Sequence, residues 1–307
     1  MNPKEHLPEI LSTFEELSRR KDAGPLTAEE SEQFKVLVTL ILSQAELTLI
    51  SPDAKDADIH RQLVSGEKKD KVHPLTTDEE LSTKRLGNEN ASKRSYALVV
   101  PGENGQRIVL AVVYTYWSNG TALPGKANEI LAEPSRPLTQ PADTVTFYSI
   151  SSFLPKAGEA LIKKIHAALR NTAITMTTLS PLRSLAAWKK QKPATDAELK
   201  AEALRYLLEN QDSVQKFHLG NGAYIGDIKL NANTADSADG KQGLGVMVNY
   251  VYSKDPEQLA RHQALYKQGK IVMATSLYES LDTESKSKAA PLEAVKTRAS
   301  TPKPPGF

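Results

Sequence analysis

Two segments place reactive side chains beside turns. The first is Thr178-Leu179-Ser180-Pro181, where a hydroxyl precedes a proline. The second is FHLGNGA, residues 217–223, in which His218 follows an aromatic residue and precedes Gly220-Asn221-Gly222. A hydroxyl and an imidazole are the groups that nucleophilic and proton-relay chemistry uses. Each also has a plainer reading. A serine before proline at a helix start caps the helix, because its hydroxyl satisfies an orphan backbone N–H. A histidine ahead of a glycine turn closes a strand. Distance along the chain does not by itself make the two a pair.

A third candidate is KAGEA, residues 156–160, at a helix start just after a strand. Small residues there let backbone N–H groups approach an anion, and the helix dipole favours phosphate. Gly158 and Ala160 would suit a pyrophosphate such as that of coenzyme A. Other chemistry is poorly supplied. None of the six histidines (6, 60, 73, 166, 218 and 262) forms a helical metal-ligand pair, so no metal is expected. There is no P-loop, no G-x-G-x-x-G after a strand and no G-x-S-x-G. The absence of cysteine excludes thiol catalysis, disulfides and cysteine-ligated zinc.

The chain has 307 residues, 39% hydrophobic and 25% charged, with a formal charge of +2. That balance fits a globular protein and makes no electrostatic case for nucleic acid. The opening MNPKEHLPEILSTFEELSRR has no apolar h-region. The longest apolar run, IVLAVVYTYW at 108–117, is too short to span a bilayer as a helix. Asn119-Gly120-Thr121 fits a glycosylation sequon and reads as a turn. A cytoplasmic protein without a membrane partner is the expectation.

The elements that must position these groups are legible as pattern. Residues 4–20 read as an amphipathic helix, and a second runs from the Thr27 capping box through FKVLVTLILSQAELTLI. Residues 51–92 are polar and read as a linker with one short helix near 77–85. From Lys93 the texture changes. RSYALVV, PGENGQ and RIVLAVVYTYW form a β-hairpin. A short helix near 126–132 precedes a strand at 144–152. A helix at 156–170 and a strand at 173–179 follow, then a helix opened by Ser180-Pro181. Thr195-Asp196-Ala197-Glu198 caps a helix running to about Asn210, and 224–230 is a strand. Residues 245–252 are a strand or a short helix, and a helix from Asp255-Pro256 leads to a strand at 270–276. After Leu281 a disordered tail is expected. The expected class is α/β (α+β). It comprises a helical N-terminal region and linker over 1–92, a mixed sheet flanked by helices over 93–281, and a tail over 282–307.

Taken in order, TFYSISS, GEALIKK, TLSPLRSLAAW, FHLGNGA and GLGVMVNYVY, followed by HQALYKQGKIVMATS, resemble the malonyl-CoA decarboxylase family. The resemblance covers residues 93–281 and implies a GNAT-like fold. It implies that Ser180 is the catalytic serine, His218 the catalytic histidine and Tyr252 a member of the same constellation. The position of the family's serine-orienting glutamate falls on Lys156, with Glu159 as a stand-in on the same helical face. Lys156, Gly158, Ala160 and Asn221 are the candidate substrate-binding residues.

The implied reaction turns malonyl-CoA into acetyl-CoA and carbon dioxide with no organic cofactor, the thioester itself being the electron sink. It needs donors for a developing oxyanion, a desolvated carboxylate and a proton for the α-carbon. An imidazole titrating near the working pH would serve as general acid. The sequence departs from the family where Leu182-Arg183-Ser184-Leu185 follows the leucine-serine-proline motif. The N-terminal half, which carries subunit contacts in the family, is shortened, so homo-oligomer formation stays open. A CoA-dependent acyltransferase on the same fold and a non-catalytic CoA-binding protein are the alternatives.

Overall fold

A computed structural model describes residues 6–70, 77–119, 127–188, 195–210, 212–233 and 241–296. The chain divides into two compact units. The first comprises Met1–Thr115, Pro134–Leu138 and Ser149–Ala168, and the second Tyr116–Glu133, Thr139–Tyr148 and Leu169–Phe307.

The first unit begins with helices α1 (Leu7–Ala23) and α2 (Ala28–Gln44). The Thr27 hydroxyl accepts the Glu30 N–H while the Glu30 carboxylate accepts the Thr27 N–H, which fixes the start of α2. Phe14 stacks on Phe34 across the pair, with ring centroids 5.1 Å apart. The helix expected to run through residue 50 stops at Gln44, and Glu46–Ile50 is strand β1. A β-branched and leucine segment gains more from pairing with a neighbouring strand than from extending the helix. That neighbour is β2 (Lys93–Pro101), antiparallel with Leu47 opposite Leu98. The hairpin from β2 to β3 (Arg107–Ser118) forms as expected, with Asn104 and Gly105 at positive φ in its turn.

The polar stretch 51–92 contains more structure than a linker. It holds a 3-10 turn (Ala54–Asp56), α3 (Ala57–Asp70) and α4 (Asp78–Lys84). Ile59 and Leu63 of α3 are fully buried one helical turn apart, which the surrounding charges hide from a composition reading. Arg107 ties this region to β3. Its Nη1 donates to Asp56 Oδ1 at 2.8 Å, its Nε to Asp58 Oδ2 at 3.1 Å and its Nη2 to the Lys55 carbonyl at 2.9 Å. The Arg107 backbone N–H donates to Asp58 Oδ2, and the Ser51 N–H to Asp56 Oδ2. These bonds from Arg107 hold the Asp58 carboxyl down at about 2. A cleft of about 620 Å³ opens over this cluster.

The second unit carries a mixed sheet. Its strands are β4 (Thr144–Ser152, through Tyr148 in this unit), β5 (Thr175–Thr178), β6 (Ser180–Pro181), β7 (Tyr224–Lys229), β8 (Met247–Tyr252), β9 (Ile271–Met273) and β10 (Ala289–Pro291). They lie in the order β4-β5-β8-β7-β9-β10, with β6 also beside β8. β4 and β5 are parallel, β8 is antiparallel to β5 and β7, and β9 runs parallel to β7 and β10. The unit's helices are α5 (Ala127–Ala132), α7 (Leu185–Trp188), α8 (Asp196–Glu209), α9 (Ser213–Gly220), α10 (Pro256–Lys267), α11 (Thr275–Glu279), α12 (Thr283–Ser287) and α13 (Leu292–Lys296). In the first unit, α6 (Ala157–Leu169, through Ala168) follows β4. The expected α/β class, a mixed sheet flanked by helices, is the one the chain adopts.

Three readings in this unit are decided or corrected by the structure. Within residues 245–252, left open between strand and helix, Met247–Tyr252 form β8, buried along its whole length. Residues 283–296 form α12, β10 and α13 where a disordered tail was expected. Val272 and Leu292 there make a small core with Tyr224 and Leu265 packed on it. The remainder of that tail, 297–307, lies outside the described residues, as do Gly120 and Thr121 of the sequon, Lys189 and Lys190 of the expected helix, and loop residues 234–240. The third correction concerns Ser180. It sits in β6 opposite Val248 and caps no helix; α7 begins only at Leu185. A residue before proline is pushed out of the helical region toward extended backbone, so Ser180 continues the strand direction.

Candidate functional site

His218 is on a helix, not at a strand end. Asp212 caps α9 by accepting the Gln215 N–H at 2.8 Å, and the Tyr206 hydroxyl donates to the other carboxylate oxygen. Gln215, His218 and Leu219 then fall on one buried face at helical spacing. Three of the seven residues in FHLGNGA are glycine or asparagine, which reads as a turn and conceals the last helical turn before it. Asn221 ends the helix, its side-chain Nδ2 donating to the Phe217 carbonyl at 2.9 Å. Gly222 has φ of 87°, and a Cβ there would lie 2.6 Å from the Leu259 carbonyl oxygen. Its bare backbone therefore meets α10. His262 Nδ1 bonds the Gly222 carbonyl at 2.9 Å from the same helix.

Within the second unit, Ser180 and His218 converge. Ser180 Oγ is 3.1 Å from His218 Nε2, and His218 Nδ1 is 2.9 Å from the Tyr252 hydroxyl. All three residues are buried. Tyr250 stacks on the imidazole with centroids 4.8 Å apart and planes 21° apart, and Tyr252 meets it edge-on. This aromatic enclosure removes water from the ring. Burial pushes the His218 imidazole down to about 3 and the Tyr252 hydroxyl up. The expectation that His218 titrates near neutral pH is thereby corrected: the ring is neutral throughout the physiological range.

A fourth group, the Thr178 hydroxyl, overlooked in the sequence, completes the chain. Ser180 Oγ and Thr178 Oγ1 are 3.0 Å apart, both buried. Hydrogens can run along this chain in two directions. In one, Tyr252 donates to Nδ1, Nε2–H donates to Ser180, and Ser180 donates to Thr178. In the other, Thr178 donates to Ser180, Ser180 to Nε2, and Nδ1–H to Tyr252. Each direction fixes one imidazole tautomer. Reversing the chain passes one proton along it: a proton taken up at one end is matched by one released at the other, and every residue is neutral before and after. That is the behaviour required of a relay.

The remaining sequence candidates belong to the first unit. Lys156 precedes α6 at φ of 63° and is exposed. The Gly158 N–H donates to Ser152 Oγ at 3.0 Å, so this N-terminal donor of α6 is capped by its own loop. The Ala160 N–H donates to the Lys156 carbonyl. Glu159 pairs with Lys163 one turn along the helix. Among the described residues no group of three or more His, Cys, Asp or Glu could hold a metal ion, and no helix is long and apolar enough to cross a membrane.

Comparison with known proteins bears on the same segments. Residues 208–291, which include His218 and Tyr252, match the malonyl-CoA decarboxylase C-terminal domain. Among solved structures the chain is similar to malonyl-CoA decarboxylase from Rhodopseudomonas palustris, with 22% identity, 87% of this chain and 74% of that one covered, and a TM-score of 0.63. It is similar to the enzyme from Agrobacterium vitis, with 21% identity, coverage of 87% and 74%, and a TM-score of 0.60. The enzyme from Cupriavidus metallidurans shares 20% identity over 82% of this chain and 72% of that one, with a TM-score of 0.60. At these identities the likeness to the solved structures is one of fold. No curated protein sequence matches the chain. The resemblance to the malonyl-CoA decarboxylase family read from the motifs holds, in the domain match and in the fold.

Proposed function

We propose, from that family resemblance, that the protein decarboxylates malonyl-CoA to acetyl-CoA and carbon dioxide. The observation that carries the reading is the buried bond between Ser180 Oγ and His218 Nε2, with Tyr252 on the other ring nitrogen. A residue from β6 and one from α9 meet there inside an apolar shell, as a relay requires.

In this reading the bond between the α-carbon and the carboxylate breaks, and its electron pair moves into the thioester as an enolate. The carboxylate leaves as carbon dioxide, and the α-carbon gains one proton, so one proton is consumed per turnover. The Ser180 hydroxyl delivers that proton and His218 Nε2–H replaces it on Ser180. The ring is reprotonated at Nδ1 through the Tyr252 side and thus changes tautomer. Because His218 is neutral before the reaction, it acts as a conduit and not as a stored acid. The buried, uncharged surroundings also disfavour a substrate carboxylate more than neutral carbon dioxide, which helps decarboxylation. No organic cofactor enters this scheme, because the thioester accepts the electrons.

The test is incubation of the full chain with malonyl-CoA, reading carbon dioxide release and acetyl-CoA by mass. Stoichiometric release of both is expected. Acyl transfer that appears only when an acceptor amine is added would favour an acyltransferase, and binding of CoA without turnover would leave a non-catalytic protein.

A further inference from the structure

We infer that Thr178 is the positioning residue for Ser180, an inference that rests on the decarboxylase reading for its catalytic consequence. The argument begins in the sheet. β5 and β6 keep one register against β8, with Thr177 opposite Val251 and Ser180 opposite Val248, yet the ladder is interrupted between them. At the gap the Leu179 N–H turns to the Phe147 carbonyl of β4 at 3.1 Å. Side chains take over the missing rungs. Thr178 Oγ1 accepts the Tyr250 N–H at 3.2 Å, and Asn249 Nδ2 donates to the Thr178 carbonyl at 2.7 Å. Thr178 and Asn249 are both fully buried.

Thr178 is thus held by β8 at two atoms while its hydroxyl touches Ser180. One lone pair of Oγ1 takes the Tyr250 N–H, leaving a lone pair and a hydrogen for Ser180. With the hydrogen it donates to Ser180 Oγ and leaves the Ser180 proton for His218 Nε2. With the lone pair it accepts from Ser180 while Nε2–H donates back. A residue able to do both is what the two-directional chain requires at its end, and a carboxylate, which only accepts when ionised, could not. The role that the sequence reading gave to Glu159 is here given to a neutral hydroxyl on the adjoining strand.

The experiment compares Thr178→Val, Thr178→Ala and Thr178→Ser in the full chain. It measures kcat and KM for malonyl-CoA and the ¹⁵N chemical shifts of His218 in histidine-labelled protein. Without the Thr178 hydroxyl, the Ser180 proton has His218 Nε2 as its acceptor, so the ring should move to the Nδ1–H tautomer. The expected result for Val is a fall in kcat of about ten- to a hundred-fold with KM within about two-fold, as for a misaligned group. Ser should restore both kcat and the tautomer ratio. Ala replaces Val should the Val variant fail to fold. Full kcat in the Val variant, unaltered His218 shifts, or no rescue by Ser would overturn the inference. If the unsubstituted protein does not release carbon dioxide, the decarboxylase reading fails, and the ¹⁵N shifts alone decide whether Thr178 sets the Ser180 hydrogen bond.

Discussion

The Arg107 cluster of the first unit and the Ser180–His218 chain of the second both join distant parts of the sequence through buried or half-buried polar atoms. Their chemistry is opposite. Arg107 meets two carboxylates and a carbonyl, and every proton in the cluster has a fixed owner. The bonds to Asp58 push the guanidinium further up and the carboxyl down, so no accessible pH moves a proton between them. In the second unit four neutral groups share hydrogens that can be reassigned without creating charge. Through fixed charges, the ionic knot ties β3 to the earlier segment around Asp56 and Asp58. A neutral hydroxyl–imidazole chain gives up that strength and gains the ability to pass a proton.

The comparison breaks most visibly if activity and stability follow the wrong cluster. Ser180→Ala and His218→Ala should each lower carbon dioxide release by about a thousand-fold, in the range for loss of a proton-transfer group, while circular dichroism stays native. Unaltered turnover in either variant would make the chain ornamental. Arg107→Met should do the reverse. It leaves Asp56, 3% exposed at its side chain, without its cation. Denaturant unfolding should then show a loss of about 3 kcal/mol, the scale for removing one partner of a buried pair. The kcat of the folded fraction should not change.

Acid separates the clusters next. The unfolded His218 imidazole takes a proton below about 6.5, whereas the folded one resists until about 3. Between these values the unfolded chain binds more protons, so stability is present above 6.5 and is lost as pH falls toward 3. This single group should remove roughly 2 kcal/mol between pH 6.5 and pH 5. His218→Gln should flatten that part of the stability curve, and parallel curves for the two proteins would refute the buried neutral ring. Asp58 works lower: its contribution is present above its ordinary 3.8 and is lost as pH falls through about 2. The ionic cluster therefore outlasts the relay in acid.

Much of the scaffold was legible because its signals are local. The capping boxes at Thr27 and Thr195 start helices where expected, and the alternating and β-branched runs at 93–118 and 144–152 are strands. What escaped depended on partners distant in sequence. Glu46–Ile50 is a strand only because β2 is beside it, and Ser180 is extended because Val248 and Pro181 act on it together. Ser180, His218 and Tyr252 were found by resemblance to ordered motifs; spacing alone supported a cap and a turn. Thr178 was passed over because a threonine in a TMTT strand looks like β-propensity and nothing more. The glycines after His218 were read as a turn closing a strand, whereas they end a helix, and Gly222 is bare where its backbone meets α10.

The smallest expected effect is the most discriminating. Tyr252→Phe keeps the ring, and so keeps its tilted contact with Phe147 at 6.5 Å, but removes the group facing His218 Nδ1. A buried Nδ1–H without an acceptor is costly, so the ring should adopt Nε2–H and leave Nδ1 a bare lone pair. Ser180 must then accept from His218 and donate to Thr178. This is the opposite of the bias produced by Thr178→Val. One lost neutral hydrogen bond corresponds to about 1 kcal/mol, or a fall in kcat of somewhat under ten-fold, with KM unchanged. The two variants should therefore move the His218 ¹⁵N shifts in opposite directions while both lower kcat. Shifts in the same direction would mean that the four groups do not form one reversible chain, and the contrast with the Arg107 cluster would reduce to a difference in charge alone.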